Sequence, residues 1–281
     1  MDTQPRIERA TRFRALHERR VLLLPNAWDA GSARLFDSLG FAALATTSGG
    51  VAWSLGYADG EQLPFAELLA ATERMVRVTA LPVSVDFEAG FGATPEAVAA
   101  NVRAIIAAGA AGINLEDGVR HESLRSVADA AARIAAAREA AREAGVPIVV
   151  NARVDVWMVG GEASEAERLD EAVRRARAYL AAGADCVYPI GLAAGATIAA
   201  LVEAVDAPLN VGARRGLPDL AELGRIGVAR VSTATRLATM AYAAARDAAR
   251  ALQAGGRFDG LETAFGYPDM QRLFARFPNP D

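Results

Sequence analysis

The chain has 281 residues, 52 % of them hydrophobic and 23 % charged, with 34 acidic against 30 basic side chains and a formal net charge of −4. That length buries a full core, the balance is that of a globular protein, and a mildly acidic chain without a basic stripe argues against nucleic acid as a partner. The lone Cys186 excludes a disulfide within the chain and fits a reducing cytoplasm, and the Ala-rich runs are broken by Arg and Glu before reaching the length of a membrane span.

Segment 1–20 is polar, rich in Arg and Glu, and has no apolar centre of the signal-peptide kind. It reads as a helix with His17 at its surface. One arrangement then recurs: a helical stretch rich in Ala, Arg and Glu runs into a Gly, and a short β-branched run follows. It appears at Gly40 before Phe41–Thr46, Gly109 before Gly112–Leu115 and Gly145 before Ile148–Ala152. It returns at Gly183 before Cys186–Ile190 and Gly227 before Ala229–Ser232. Glycine suits the position past a helix end because it takes positive φ without a Cβ penalty. Short apolar runs of this kind are strands buried on both faces, as in a parallel sheet. Val21–Leu24, Val83–Asp86 and Leu209–Val211 bring the strands to eight, with helices expected at Pro95–Ala108, Ser126–Glu143, Glu165–Ala182 and Ala194–Ala204.

Eight β/α units in this length predict a closed (β/α)8 TIM-type barrel, with a doubly wound open sheet as the alternative. No linker or change of composition divides the chain, so 1–281 reads as one domain. The extension 237–281 holds a helix at Leu237–Ala254, a Gly-Gly break, a short amphipathic piece and a Pro-rich end. It lies outside the eight units and is free to pack on a neighbouring subunit.

In such barrels the chemistry sits where the strands end. Strand 2 ends in Thr46-Thr47-Ser48-Gly49-Gly50, strand 3 in Asp86-Phe87-Glu88-Ala89-Gly90-Phe91-Gly92 and strand 4 in Glu116-Asp117. Strand 5 ends in Asn151-Ala152-Arg153-Val154-Asp155, and strand 7 in Asn210. Carboxylates crowded at one rim repel each other until some protonate or a cation binds. Asp86, Glu88 and Glu116 are oxygen ligands, which suits a hard ion, Mg²⁺ or Mn²⁺; individually each also fits a cap or a solvated loop acid. Arg153 offers a fork for a carboxylate, so Arg153→Lys is expected mainly to weaken substrate binding. A structural ion pair with Asp155 or a rim acid is its other reading. Ser48, Gly49 and Gly50 offer backbone N–H groups that a bound carboxylate can approach. In the loop after strand 4, Arg120 or His121 could supply a charge or a proton, against the plainer reading of an exposed loop. Cys186 sits inside a strand as a small core residue.

Together these stretches resemble the isocitrate lyase and phosphoenolpyruvate mutase superfamily from about Val21 to Met240. The matching pieces are Pro25-Asn26-Ala27-Trp28-Asp29-Ala30, Thr47-Ser48-Gly49-Gly50, the run Asp86 to Gly92, Asn114-Leu115-Glu116-Asp117 and Asn151-Ala152-Arg153-Val154-Asp155. The resemblance implies a modified barrel whose last helix is exchanged with a partner subunit in a homodimer or homotetramer. It implies Mg²⁺ around Asp86, with Glu88, Glu116 and Asp59 reaching it directly or through water. It implies substrate carboxylate at Ser48, Gly49, Gly50 and Arg153, and cleavage beside the enolate of a 2-oxo acid.

The departures narrow the reaction. The family's lyases carry Lys-Lys-Cys-Gly-His on the loop after Glu-Asp, where this chain has Gly118-Val119-Arg120-His121-Glu122-Ser123. Its phosphonate members use a Lys in that loop and a His after strand 6, where this chain has Tyr188-Pro189-Ile190. The expected function is a Mg²⁺-dependent lyase acting on a C–C bond of a small 2-oxo or 2-hydroxy (di)carboxylate, like an oxaloacetate decarboxylase or a methylisocitrate lyase. The alternatives are a phosphonopyruvate-type P–C bond hydrolase or mutase, and a non-catalytic 2-oxo acid binding protein. The expected catalytic set is Asp59, Arg153, Glu116 and His121. The expected substrate-binding set is Ser48, Gly49, Gly50, Asp86, Arg153 and Asn210.

Overall fold

The computed structural model describes residues 3–18, 21–120, 122–159, 161–256 and 258–275. In chain order it holds α1 (Gln4–Ala15), β1 (Leu22–Leu24), β2 (Asn26–Ala27), α2 (Ala30–Ser38), β3 (Leu44–Thr46), α3 (Ser48–Ser54), α4 (Phe65–Arg77), β4 (Val83–Asp86) and α5 (Pro95–Ala107). Then come β5 (Gly112–Glu116), β6 (Gly118–Val119), β7 (Ser123–Leu124), α6 (Val127–Glu143), β8 (Val149–Val154), α7 (Val156–Val159), α8 (Glu165–Ala181) and β9 (Cys186–Pro189). The chain closes with α9 (Gly195–Val205), β10 (Asn210–Gly212), α10 (Leu220–Ile226), β11 (Arg230–Ser232), α11 (Arg236–Gln253) and α12 (Tyr267–Phe274).

The barrel strands pair in parallel in the order β2-β3-β4-β5-β8-β9, and a second group runs β1-β11-β10. A parallel bridge between Val187 and Leu209 joins β9 to β10. β1 and β2 are one strand interrupted at Pro25, which has no N–H to give to a ladder. The ring is therefore a closed barrel, and the open doubly wound sheet is overturned. Each of the five punctuating glycines has positive φ, for example +101° at Gly109 and +104° at Gly183, where a side chain would be strained. Helix starts follow side-chain caps: Thr94 accepts from Ala97 N, Ser126 from Asp129 N and Ser164 from Glu167 N.

Apolar strand faces pack outward against the helices in one large cluster that includes Val85, Ile113, Val150, Ile105 and Ile134. A smaller cluster, Phe13, Leu22, Leu24, Ala43, Ala45, Ala111 and Val149, fills the bottom of the barrel. α1 lies across that end, because Arg9 bonds Thr79 O, and Arg14 bonds Ile148 O and Asp185, all just ahead of strands.

His17 corrects the expectation of a surface histidine. Its ring stacks edge-on against Phe13 with centroids 4.9 Å apart, and Nδ1–H donates to Phe13 O at 2.9 Å. Nε2 is buried without a partner. Burial, and then the charge of Arg230, hold the imidazole down at about 4. A histidine kept neutral in the fold stabilises fully above its unfolded value near 6.5 and loses that contribution as pH falls towards 4. We expect acid to cost the native chain about 2–3 kcal/mol more than His17→Leu across that window. Parallel melting-temperature curves for the two proteins between pH 4 and 7 would refute this.

Among the described residues no helix is long and apolar enough to cross a membrane.

Candidate active site

The C-terminal ends of β3, β4, β5 and β8 bring the acids together. Asp86 ends β4; its N–H donates to Thr46 Oγ1 at 2.8 Å. Its Oδ2 accepts from Ser48 N at 3.1 Å and its Oδ1 from Asn114 Nδ2 at 3.3 Å. Ser48 opens α3, so a backbone N–H at a helix start already faces a carboxylate there. Glycine at 50 is a packing requirement: a Cβ would lie 2.6 Å from Thr47 Cγ2 and 2.8 Å from Trp28 Cβ. A Cβ on Gly49 would lie 3.2 Å from Asp59 Oδ2, which places Asp59 beside the Ser48–Gly50 turn.

Glu88 does not continue the strand. Its φ is +44°, so the expected shared strand face with Asp86 is replaced by a sharp bend that turns Glu88 inward. It is 4 % exposed, and its Oε2 accepts from Glu61 N at 2.6 Å. Burial, then repulsion from Asp59 and Asp86, lift its carboxyl to about 8, against the pull of the Glu61 N–H. Glu116 ends β5, 5 % exposed, in an ion pair with Arg153. Burial raises its carboxyl well above the usual range; Arg153 opposes this, while Asp155, Asp86 and Glu88 add to it.

Arg153 is placed differently from the open fork expected of it. Nε and NH2 donate to Asp155 Oδ1 and Oδ2, both at 2.7 Å, and NH1 meets Glu116. The guanidinium is 4 % exposed and Asp155 is fully buried. Its alternative reading, a structural ion pair, is what the geometry displays. Two acids share one cation here, which leaves one buried negative charge over. Asn210 is a further correction: it begins β10 rather than ending it, and lies fully buried in register with Arg230, below the mouth. Asp117 also turns away from the mouth. It accepts from Tyr179 OH at 2.6 Å, Arg175 NH1 at 3.0 Å and Asp155 N at 2.8 Å. It thereby ties the end of β5 to α8. His121 lies outside the described residues; around it β6 and β7 form a two-stranded antiparallel hairpin.

Above the acids opens a cavity of about 660 Å³ whose lining includes Glu88, Glu116, Leu63, Phe65, Phe91 and Arg120. Among the described residues no three Asp, Glu, His or Cys side chains form a ready metal cage. The donor set still suits Mg²⁺, which keeps several waters and needs only one or two carboxylates. Asp86 would hold it, with Glu88, Glu116 and Asp59 completing the shell through water. Buried acids that repel one another are the physical mark of a place for a cation.

Reading the sequence missed Glu61, whose N–H holds Glu88 and whose carboxylate accepts from Phe91 N at 2.6 Å. It also missed roles for Asn114 and Asn151, although a polar residue two before each strand-end acid or base was a signal of the same inward row.

The sequence pattern of the phosphoenolpyruvate phosphomutase family matches residues 13–253. The chain is 32 % identical to a 2-methylisocitrate lyase of Escherichia coli over 204 residues, 69 % of this chain and 66 % of that one. It is 32 % identical to an oxaloacetate decarboxylase of a Bradyrhizobium species over 220 residues, 74 % of this chain and 71 % of that one. A solved 2,3-dimethylmalate lyase of the phosphoenolpyruvate mutase/isocitrate lyase superfamily superposes with a TM-score of 0.84 at 27 % identity, covering 95 % of this chain and 94 % of that one.

Proposed function

The chain belongs to the phosphoenolpyruvate phosphomutase family, within the superfamily shared with isocitrate lyase, and from that premise we propose that it is a Mg²⁺-dependent lyase that breaks a C–C bond of a small 2-oxo or 2-hydroxy (di)carboxylate. One observation carries this reading: Asp86, Glu88 and Glu116 form a mutually repelling acidic group at one barrel mouth, with Glu88 and Glu116 facing a single cavity. A Mg²⁺ held by Asp86, with Glu88, Glu116 and Asp59 through water, would supply Lewis acidity towards the 2-oxo group of a substrate. The protein's own part is positioning. The first turn of α3, Ser48–Gly50, lies against Asp86 through the Ser48 N–H, and a substrate carboxylate can lie beside it. Arg153 holds Glu116 in place and pairs with both Glu116 and Asp155. Leu63, Phe65 and Phe91 give the cavity apolar walls that limit water.

Named relatives act on dicarboxylic and tricarboxylic acids, and the loop 118–123 has neither the lyase Cys nor a Lys. Decarboxylation needs an electron sink more than a dedicated loop acid, so a 2-oxo dicarboxylate is the favoured substrate. The deciding experiment incubates the protein and Mg²⁺ with oxaloacetate, other 2-oxo acids, methylisocitrate, isocitrate and phosphonopyruvate. Pyruvate or another 2-oxo product, with or without CO₂, supports the reading. Phosphate release from phosphonopyruvate would identify the P–C alternative, and saturable binding without any product would identify a binding protein.

The same reading extends to assembly. α11 buries only Ala238 along its length and leaves Met240 and Tyr242 uncovered, while α12 folds back on α2 through Arg34 Nε to Leu273 O at 2.6 Å. α11 is therefore the element offered to a second copy in a homodimer or homotetramer. We expect sedimentation equilibrium to return an oligomer, and Met240→Glu to shift it towards monomer. A wild-type monomer at tens of micromolar would dismiss the idea.

A further inference from the structure

Arg230 opens β11 and is, among the described residues, the largest fully buried side chain, 0 % exposed. Buried guanidinium groups are ordinarily matched by a carboxylate, yet among the described residues Arg230 forms no ion pair. Its guanidinium carbon lies 5.8 Å from the centroid of the Phe13 ring, and NH2 donates to Asn114 Oδ1 at 3.3 Å. Nε and NH1 have no hydrogen-bond partner. The charge is thus held inside the barrel, below the acids of the mouth.

Asn114 connects this buried charge to the mouth. Its Oδ1 receives both Arg230 NH2 and Asn151 Nδ2, the latter at 2.8 Å, while its Nδ2 donates to Asp86 Oδ1. An asparagine amide can face either way round, and so can Asn151, which has both a donor and an acceptor. Arginine has donors only. Arg230 on one side and the acceptor-only Asp86 carboxylate on the other therefore hold the amide of Asn114 with oxygen towards Arg230 and NH₂ towards Asp86. Reversal would set Asn114 NH₂ against the guanidinium and its oxygen against the Asp86 carboxylate.

We propose that Arg230 is a positioning residue that sets the polarity of the Arg230–Asn114–Asp86 chain and so presents Asp86, correctly oriented, to a divalent cation. This rests on the reading of Asp86 as the cation-binding carboxylate. It differs from a purely electrostatic role by the sign of its effect. A buried positive charge acting only through space weakens cation binding, so its removal would tighten it. A residue acting through Asn114 makes binding stronger, so its removal loosens it.

The test is Mn²⁺ titration of the full chain, with free ion read by electron paramagnetic resonance, for wild type, Arg230→Met, Asn114→Ala and the double variant, each checked by thermal melting. Expected is a Kd raised about tenfold or more in Arg230→Met, a similar rise in Asn114→Ala, and a double variant no worse than the poorer single one. Unchanged or tighter Mn²⁺ binding by folded Arg230→Met overturns the proposal, as do strictly additive losses. Should Arg230→Met fail to fold, Arg230→Lys keeps the charge without the planar fork. Weakened binding in that variant supports the proposal and wild-type affinity overturns it. A wild-type chain that binds no Mn²⁺ overturns both this inference and the proposed function, whereas wild-type affinity in a folded variant overturns this inference alone.

Discussion

Asp86→Ala should abolish metal-dependent turnover, by on the order of 10³-fold or about 4 kcal/mol of transition-state stabilisation, while leaving the melting temperature within a few degrees of wild type. The reasoning for activity is that Asp86 is held by three separate elements: α3 through Ser48 N, β5 through Asn114 Nδ2 and β3 through Thr46 Oγ1. Glu88 and Glu116 are each turned towards other partners, Glu61 N and Arg153. The reasoning for stability is that Asp86 repels Glu88 and Glu116. Its removal relieves strain among like charges, which offsets the lost hydrogen bonds. Both halves are measurable: steady-state rates with and without Mg²⁺, and calorimetric melting. An active, metal-independent Asp86→Ala variant would end the proposed mechanism.

Arg153→Met should behave in the opposite way, as a stability lesion first. It leaves Glu116 and Asp155 buried without their cation, 5 % and 0 % exposed. Breaking a buried ion pair by removing one partner costs about 3–5 kcal/mol, which for a chain of this size lowers the melting temperature by roughly 10 °C. Arg153→Lys keeps a charge but cannot span Asp155 with two parallel bonds while also reaching Glu116. It should recover only part of that loss. The sequence-based expectation that Arg153→Lys acts mainly on substrate binding is therefore replaced: stability and turnover fall together. Chemical denaturation of both variants beside wild type decides the matter, and a raised KM with wild-type stability would restore the simpler role.

How far the sequence reached can be seen residue by residue. The Gly-punctuated strands were legible because a helix end that needs left-handed backbone and a run buried on both faces each impose a local composition. Gly109 before β5 and Gly183 before β9 show this directly. Asp86, Glu88, Glu116, Arg153 and the Ser48–Gly50 turn were legible as a set because strand ends in a closed barrel all open on one side. Asp59 came only through family resemblance, since nothing local marks a loop aspartate as facing the mouth.

Other features had no local signature. The left-handed bend that turns Glu88 onto the N–H of Glu61 joins residues 27 apart, and the turning of Arg153 into Asp155 and Glu116 depends on strand register. Arg230 looks in sequence like any strand-opening basic residue. The sequence by itself determined that there would be a barrel, which end of it would be polar and which acids would stand there, because these follow from periodicity and turn chemistry. Only the tertiary structure decided which of those acids are paired, that Glu88 and Glu116 face the cavity, and that a buried guanidinium lies beneath Asp86. Those outcomes are set by register and by exclusion of water, and neither is a property of a short stretch of chain.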